Sequence, residues 1–240
     1  MRRNIPNIIT CLNLLCGCLS IAVLTNDRLD GKLYIAAYFI FAAAVFDFLD
    51  GFIARRLNAT SALGRELDSF ADLISFGVAP ATIMFKLIDN STYYLFFWLP
   101  TVRLCFAVFA YIIAVCTALR LAKQNIETQQ TEFFKGLPTP ANAMFICSLV
   151  FASDNILSVI LPMGNVWFLM TTTAVLSYLL VSKILLFSLK FKSFEWKSNR
   201  IRYIFLAISA IILLLLKWAG LSIIILIYII LSIVNKNKKG

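Results

Sequence analysis

The chain has 240 residues, of which 61% are hydrophobic and only 14% are charged, and its mean hydropathy is +0.87. This composition excludes an ordinary soluble domain, because such domains are far less apolar. The net charge of +10 requires no nucleic acid partner, because basic residues on the cytoplasmic side of a membrane protein are attracted to anionic lipids.

Apolar runs of roughly 20 residues, the length with which a helix crosses a bilayer, recur along the whole chain. Unpaired backbone groups are costly in lipid, so these runs predict helices. We predict an all-α integral membrane bundle of about eight transmembrane helices, at residues 7–25, 33–55, 68–88, 94–118, 141–162, 166–188, 202–216 and 221–234. The first run is expected to be a retained helix, because no small-residue cleavage site is evident after it.

Basic residues indicate the orientation of the predicted bundle. Most of the 22 Lys and Arg residues fall in the tails and in the loops near 56–66, 119–140 and 189–201. Cytoplasmic loops of membrane proteins carry an excess of Lys and Arg, so both termini are predicted to face the cytoplasm.

Two residue types limit the possible chemistry. The chain contains no histidine, so carboxylates must supply any catalytic base or metal ligand. Its six cysteines all lie in predicted spans and form no C-x-x-C pair. They are interpreted as small buried residues without a further role.

Four aspartates lie at the cytoplasmic ends of the second and third predicted spans, where ionisable groups usually mark function. They are Asp47, Asp50, Asp68 and Asp72. Their spacings of three and four residues project each pair from one helix face, and antiparallel spans bring both pairs to one depth. Four converging carboxylates repel each other unless cations lie between them. All-oxygen ligands favour Mg²⁺, with Mn²⁺ or Ca²⁺ as alternatives, and two such ions could clamp a pyrophosphate.

Small residues lie between the two aspartate pairs. Gly51 and Ala54 share a helix face with Asp50 and would let a base or ribose approach the backbone, while Arg55 offers a fork for phosphate. Gly64 thins the start of the third span in the same way. Small residues at helical spacing also permit close helix packing in membranes, and the residues themselves leave both interpretations open.

The spacing of these residues resembles the complete signature of the CDP-alcohol phosphatidyltransferase family, with every fixed position present: Asp47-x-x-Asp50-Gly51-x-x-Ala54-Arg55, eight further residues, then Gly64-x-x-x-Asp68-x-x-x-Asp72. Further segments resemble the phosphatidylserine synthase branch of that family: 5–10 followed by Asn13 and Gly17, then 75–80, 118–122 and 134–141. The likeness covers roughly residues 3–190. Lys123 and Gln124 depart from the Arg and Phe that these synthases often carry, although a cation is retained.

The resemblance implies an activity, a cofactor and a set of site residues. It implies transfer of the phosphatidyl group from CDP-diacylglycerol to the hydroxyl of L-serine, with release of CMP. It implies that the four aspartates ligate two divalent ions, Mg²⁺ or Mn²⁺, and that Asp72 accepts the hydroxyl proton. It also implies that the CDP-lipid is held by Asn7, Thr10, Gly51, Ala54, Arg55, Ser61 and Gly64.

The predicted cytoplasmic loop 119–140 is a candidate for acceptor binding. Arg120, Lys135 and Thr139 are interpreted as contacts to serine. The alternative is that the two cations only set the membrane orientation.

Wider expectations follow from the same resemblance. Residues 1–190 are predicted to form the catalytic membrane domain, and residues 191–240 a C-terminal pair of spans with a basic tail. A homodimer, surrounding membrane lipid and a prokaryotic inner membrane with the site facing the cytoplasm are implied, without a nucleic acid partner.

Other functions are weighed against this one. A sister enzyme that uses glycerol phosphate or inositol phosphate would need an extra basic pocket for the acceptor phosphate. A transporter also uses intramembrane charges, but the four aspartates are confined to one hairpin and no matching repeat is seen. A scaffold without catalytic activity would not need the intact carboxylate set.

Overall fold

The computed structural model describes residues 5–57, 59, 61–92, 99–126, 134–153, 162, 164–186 and 196–236. Within these ranges the regular secondary structure is helical except for one short strand pair. The α-helices are α1 Ile5–Thr25, α2 Lys32–Arg56, α3 Ala62–Asp72, α4 Ala79–Thr92, α5 Pro100–Val108, α6 Ile112–Ile126, α7 Thr139–Ala152, α8 Val166–Val181, α9 Trp196–Leu216 and α10 Gly220–Lys236. A π-helix, Leu73–Val78, joins α3 to α4, and 3₁₀ turns at Phe109–Tyr111 and Lys217–Ala219 follow α5 and α9.

Five helical stretches are long and apolar enough to cross a membrane: Ile5–Thr25, Lys32–Arg56, Ala62–Thr92, Pro100–Ile126 and Arg202–Ser232. The shorter helices α7 and α8 are also apolar. These findings confirm an all-helical integral membrane architecture. They do not confirm the predicted count of eight spans.

The observed ends of the helices differ from the predicted spans. The third helical stretch begins at Ala62 instead of residue 68, because Ser61 caps it by accepting a hydrogen bond from the Gly64 amide at 3.0 Å. The fourth stretch extends to Ile126, beyond the predicted end at residue 118. The predicted positions 94–98, 154–161 and 187–188 lie outside the described residues.

The last apolar stretch turns back on itself. Lys217 has a φ of 52°, and a Cβ added to Gly220 would lie 2.8 Å from Cγ2 of Ile212. Eight residues of continuous helix would separate these positions by about 12 Å. Helices α9 and α10 therefore form a helical hairpin, at the positions predicted for the last two spans.

Helix α1 packs along α2 and also contacts α3 and the π-helix. Small residues allow this approach, since Ala36 and Ala37 of α2 are fully buried. Ser20 of α1 donates a hydrogen bond to the Ala36 carbonyl at 3.0 Å. The contacts of α1 with α2, α3 and the π-helix bring the beginning of α1 beside the acidic ends of α2 and α3.

The strand pair holds the segment before α7 against the end of α8. Strands β1, Phe134–Lys135, and β2, Leu185–Leu186, are antiparallel. Gly136 follows with a φ of 73°, and a Cβ there would lie 2.8 Å from the Leu180 carbonyl oxygen. Only glycine meets both requirements without strain, so the Gly-Leu-Pro-Thr-Pro turn is tied to the bundle.

Candidate active site

The acidic ends of α2 and α3 converge. One carboxylate oxygen from each of Asp47, Asp50 and Asp68 lies within 4.8 Å of the other two. Oxygens bound to the same Mg²⁺ or Ca²⁺ at about 2.0–2.6 Å are at most about 4–5 Å apart. The triad therefore has the donor chemistry and the spacing for a hard divalent cation.

The state of individual oxygens also fits a cation. Oδ1 of Asp68 is buried and has no hydrogen-bond partner among the described residues. Asp50 is only 5% exposed, and its Oδ2 accepts a hydrogen bond from Oγ1 of Thr10 at 2.6 Å. Helix α1 thus orients one carboxylate, while an unsatisfied oxygen of another remains available for a positive charge.

Asp72, the fourth predicted ligand, lies outside this triad. Its Oδ1 is 3.5 Å from Nδ2 of Asn13 in α1, which donates to it. The structure thus brings three of the four predicted ligands together and places Asp72 beside an amide donor. Its predicted roles as ligand and proton acceptor stay predictions.

A cleft that is open to the outside adjoins the triad. It contains every residue predicted to hold the CDP-lipid except Arg55. The cleft is lined by Pro6, Asn7, Thr10, Asp50, Gly51, Ala54, Ala59, Ser61, Gly64, Arg65 and Asp68. Two of the three triad aspartates therefore face the same space as the predicted lipid-binding residues.

The surroundings of Gly51 show which of the two interpretations of the small residues, a binding surface or close helix packing, fits this glycine. A Cβ at Gly51 would meet only the Arg55 guanidinium nitrogens, at 3.9 and 4.0 Å. A Cβ at Gly17 would instead lie 2.5 Å from Oγ of Ser75. Gly17 is therefore a packing glycine. Gly51 keeps a surface open beside Arg55, as a binding role requires.

Gly64 has a role between these two cases. A Cβ there would lie 3.0 Å from Oδ1 of Asn7 and 3.1 Å from Oγ of Ser61. The glycine lets the beginning of α3 approach α1 at the cleft wall. Ser61 both caps α3 and lines the cleft.

Sequence reasoning missed one cation of the cleft. Arg65 lines it, whereas the sequence interpretation counted this residue only among the basic residues of a loop. The available signal was its position between Gly64 and Asp68 of the signature. A guanidinium there adds positive charge where a pyrophosphate would need it.

The predicted acceptor residues do not line the cleft. Arg120 is half-buried, and its Nη1 donates a hydrogen bond to the Leu137 carbonyl. Thr139 is buried at the first position of α7. The side chain of Lys135 lies outside the described part of the chain. One contact of Arg120 is thus to the Gly-Leu-Pro turn, a structural role that its sequence position does not reveal.

Comparison with known proteins agrees with the geometry. The family model described as CDP-alcohol phosphatidyltransferase matches residues 3–179. This chain belongs to the CDP-alcohol phosphatidyltransferase family. The match includes the triad, the cleft and Asp72, and it ends before the α9–α10 hairpin.

Several curated relatives carry names that specify a substrate. The chain is 39% identical over 180 residues to the CDP-diacylglycerol–serine O-phosphatidyltransferase of Bacillus subtilis, covering 75% of this chain and 88% of that protein. It is 35% identical over 165 residues to the enzyme of the same name from Saccharomyces cerevisiae, covering 63% of this chain and 55% of that protein. It is also 33% identical over 146 residues to the archaetidylserine synthase of Methanothermobacter thermautotrophicus, covering 60% and 56% of the two chains.

Proposed function

We propose that the chain transfers the phosphatidyl group of CDP-diacylglycerol to the hydroxyl of L-serine and releases CMP. The observation that carries the proposal is the convergence of Asp47, Asp50 and Asp68 beside the cleft. The relatives from Bacillus subtilis and Saccharomyces cerevisiae are both named as serine phosphatidyltransferases, which supports serine as the acceptor. The same names support CDP-diacylglycerol as the donor.

A divalent cation is the proposed cofactor. Asp47, Asp50 and Asp68 would hold it, and Asp72 is the proposed ligand that extends the site to a second ion. Mg²⁺ and Mn²⁺ are the proposed metals, and Ca²⁺ has the same preference for oxygen. When bound, such ions neutralise the developing charge on pyrophosphate oxygens.

The cleft residues are proposed to bind the CDP-lipid. Gly51 and Ala54 leave space for the nucleotide against the α2 backbone, and Arg55 and Arg65 supply guanidinium groups for phosphate oxygens. Asn7, Thr10, Ser61 and Gly64 complete the wall from α1 and α3. This division is supported by the lining of the cleft and by the open side of Gly51.

Asp72 is the proposed proton acceptor. A serine hydroxyl is a weak nucleophile at neutral pH, so a positioned carboxylate that takes its proton lowers the barrier. The serine oxygen then forms a bond to the lipid phosphorus as the pyrophosphate bond breaks. CMP leaves with that electron pair, and the proton on Asp72 returns to solvent.

The acceptor side of the proposal includes Arg120, Lys135 and Thr139 as serine contacts. The bond from Arg120 to Leu137 supports a stable loop next to the end of α8. A sister acceptor such as glycerol phosphate or inositol phosphate remains the alternative that the experiment below separates.

The proposal extends to the setting of the enzyme. Residues 1–190 are the proposed catalytic domain, supported by the family match over 3–179, and residues 191–240 an accessory hairpin with a basic tail. We also propose a homodimer in a prokaryotic inner membrane, with the site and both termini on the cytoplasmic side, as the basic loops favour.

Membranes that contain the protein test the proposal. They are incubated with CDP-diacylglycerol, Mg²⁺ or Mn²⁺, and serine, glycerol phosphate or inositol phosphate, and CMP release is measured. We expect release with serine and its loss in Asp72→Asn. CMP release only with glycerol phosphate or inositol phosphate would replace serine as the proposed acceptor. The absence of CMP release from folded protein with every acceptor would favour a transport function.

A further inference from the structure

Asn13 is a buried polar residue of α1 that the proposed reaction does not yet use. It is fully buried, and its Nδ2 lies 3.5 Å from Oδ1 of Asp72. Thr10, three residues earlier on the same helix face, bonds Asp50. One face of α1 therefore contacts one aspartate from each of the two acidic helices.

Asn13 is anchored from the same segment that carries Asp72. Oγ of Ser75, three residues after Asp72, donates a hydrogen bond to the Asn13 carbonyl at 2.9 Å. At Gly17, a Cβ would lie 2.9 Å from the Cα of Ser75, so the two backbones are in close contact. This contact fixes the separation of α1 and the π-helix, and with it the position of Asn13.

The backbone at this point is unusual. Ser75 belongs to the π-helix Leu73–Val78, which begins directly after Asp72. Isolated π-helical segments cost stability relative to α-helix and are frequent at functional sites. The irregular turn therefore lies where a particular orientation of Asp72 is needed.

The hydrogen bonding of Asn13 argues against a purely packing role. Within the described part of the chain, Oδ1 of Asn13 has no hydrogen-bond partner, although it is buried. A buried amide kept for packing would have both ends satisfied or would be replaced by an apolar residue of similar size. The hydrogen bond that the Asn13 amide donates to Asp72 is thus the interaction that explains why an amide is present at this position.

Resting on the proposed function, we infer that Asn13 is a positioning residue for Asp72. Its amide donor holds the Asp72 carboxylate in the orientation that accepts the proton of the acceptor hydroxyl. Ser75 and Gly17 hold Asn13 in place. The inference concerns the hydroxyl proton and applies to whichever alcohol is the acceptor.

Asn13→Leu removes the amide while it keeps the number and branching of the side-chain heavy atoms. We expect kcat for CMP release to fall by about 10- to 100-fold, the range for a misplaced catalytic group. Equilibrium binding of CDP-diacylglycerol and its KM should change less than about threefold, because the cleft residues are intact. A residue with only a structural role would not lower kcat while leaving KM unchanged.

The matched control is Ser20→Ala. Ser20 is a fully buried polar residue of the same helix, and its hydrogen bond goes to Ala36, away from the aspartates. It should lower the thermal unfolding temperature in detergent while leaving kcat per folded molecule unchanged. Asn13→Gln, which keeps an amide, should recover part of the kcat lost in Asn13→Leu.

Ser75→Ala tests the anchor and stands in if Asn13→Leu does not fold. It should reduce kcat less than Asn13→Leu does, again at constant KM for CDP-diacylglycerol. The double variant should lose no more than Asn13→Leu alone, because both changes act through one carboxylate. Normal kcat in Asn13→Leu, or additive losses in the double variant, would overturn the inference.

The two proposals can fail separately. Wild-type CMP release is measured with serine, glycerol phosphate and inositol phosphate in the same preparations. Release with an acceptor other than serine would correct the proposed function and still permit the Asn13 comparison. If CDP-diacylglycerol binds but none of the three acceptors leads to CMP release, both the proposed reaction and the role of Asn13 in it are rejected.

Discussion

The hairpin formed by α2 and α3 and the hairpin formed by α9 and α10 both place polar groups in an apolar bundle, but they satisfy them differently. In the second, Oγ of Ser209 in α9 also lacks a partner among the described residues, but it is a neutral hydroxyl. Ser222 donates to the Ala219 carbonyl at 2.9 Å and Ser232 to the Tyr228 carbonyl at 2.7 Å. Both bonds stay within one local turn. In the first, Asp50 is bonded across helices by Thr10, and an Asp68 oxygen has no partner among the described residues.

This contrast separates packing from function. A polar side chain that is satisfied by its own helix needs nothing further from its surroundings. Polar groups that depend on a neighbouring helix, and still leave an acceptor unmet, indicate a missing partner of opposite charge. The family match includes the α2–α3 hairpin and ends before the α9–α10 hairpin, in agreement with this division.

The two hairpins are nevertheless in contact. Trp218, in the turn between α9 and α10, stacks on Phe41 of α2 with ring centroids 4.7 Å apart, and Phe151 of α7 lies 6.0 Å from Phe41. Aromatic pairs contribute about 0.5–1.5 kcal/mol beyond their buried area. The C-terminal hairpin therefore supports the helix that carries Asp47 and Asp50 without lining the cleft.

The largest expected effect is in the triad. Asp68→Asn keeps the shape of the side chain and removes its charge, so the metal site loses one anionic ligand. We expect CMP release to fall by more than about 100-fold, since metal stabilisation of developing charge is worth several kcal/mol. The control is Asp27→Asn at an exposed carboxylate, and half-normal activity in Asp68→Asn would contradict the assignment.

The second effect is on stability in the presence of metal. Addition of Mg²⁺ or Mn²⁺ at 100 times its dissociation constant should stabilise the wild type by about 2.7 kcal/mol. Thermal unfolding in detergent measures this, with metal removed by a chelator as the reference. The increase should be much smaller in Asp47→Asn, and an equal increase there would place the metal elsewhere.

The third prediction compares two glycines within the first region. Gly51→Leu should raise the KM for CDP-diacylglycerol about tenfold or more by filling the cleft, with little loss of stability, because its Cβ meets only the flexible Arg55 side chain. Gly17→Leu should instead destabilise the protein, because its side chain would collide with Ser75. Equal behaviour of the two variants in substrate titrations and unfolding would remove the distinction.

The fourth prediction addresses the second region. Trp218→Ala removes a ring that is 45% exposed and should lower the free energy of unfolding by about 1–2 kcal/mol, less than a fully buried aromatic. The kcat per folded molecule should stay unchanged. Unfolding and CMP release, measured on the same sample, check both statements, and a selective loss of kcat would assign the hairpin to the active site.

The smallest expected effect is at the surface, at the end of α2 that is opposite to the aspartates. The Lys32 ammonium, 2.5 Å from Asp27, holds the pKa of that carboxyl below its usual value. A carboxyl whose pKa is lowered by folding stabilises the folded state at pH values above its ordinary pKa of about 4. That stabilisation is lost as the pH falls through the pKa of the carboxyl in the folded state. The pair is exposed, so Lys32→Ala should leave the unfolding temperature at pH 7 nearly unchanged. A marked decrease would mean that this loop supports the bundle.

The convergence of the triad could be predicted from the sequence, because spacings of three and four residues on antiparallel helices leave little alternative. The span ends were less accurate. Charged residues such as Arg65 and Glu66 end a hydropathy run, yet α3 begins before them at Ala62, since a helix can extend beyond the hydrocarbon core.

Other features depend on contacts that no local pattern encodes. The bond from Arg120 to Leu137 joins separate segments, and a basic residue in a polar stretch of the sequence has the same appearance whether it binds a substrate or a carbonyl. The approach of Asn13 to Asp72 depends on the backbone contact at Gly17. The π-helix has no propensity signature, because apolar residues with an occasional glycine, such as Gly77 here, are also common in membrane-spanning α-helices.

The π-helix has a consequence for how the protein tolerates changes in length. A π-helical turn accommodates one residue more than an α-helical turn, so Leu73–Val78 acts as an insertion within Ala62–Thr92. Deleting a single residue here would let the stretch relax to regular α-helix, and α4 would keep about the same orientation relative to α3, because the wider turn had absorbed the extra residue. The buried face of α4, with Ile83 and Met84, would then stay in the core, whereas a deletion in regular α-helix would turn it by about 100° towards lipid.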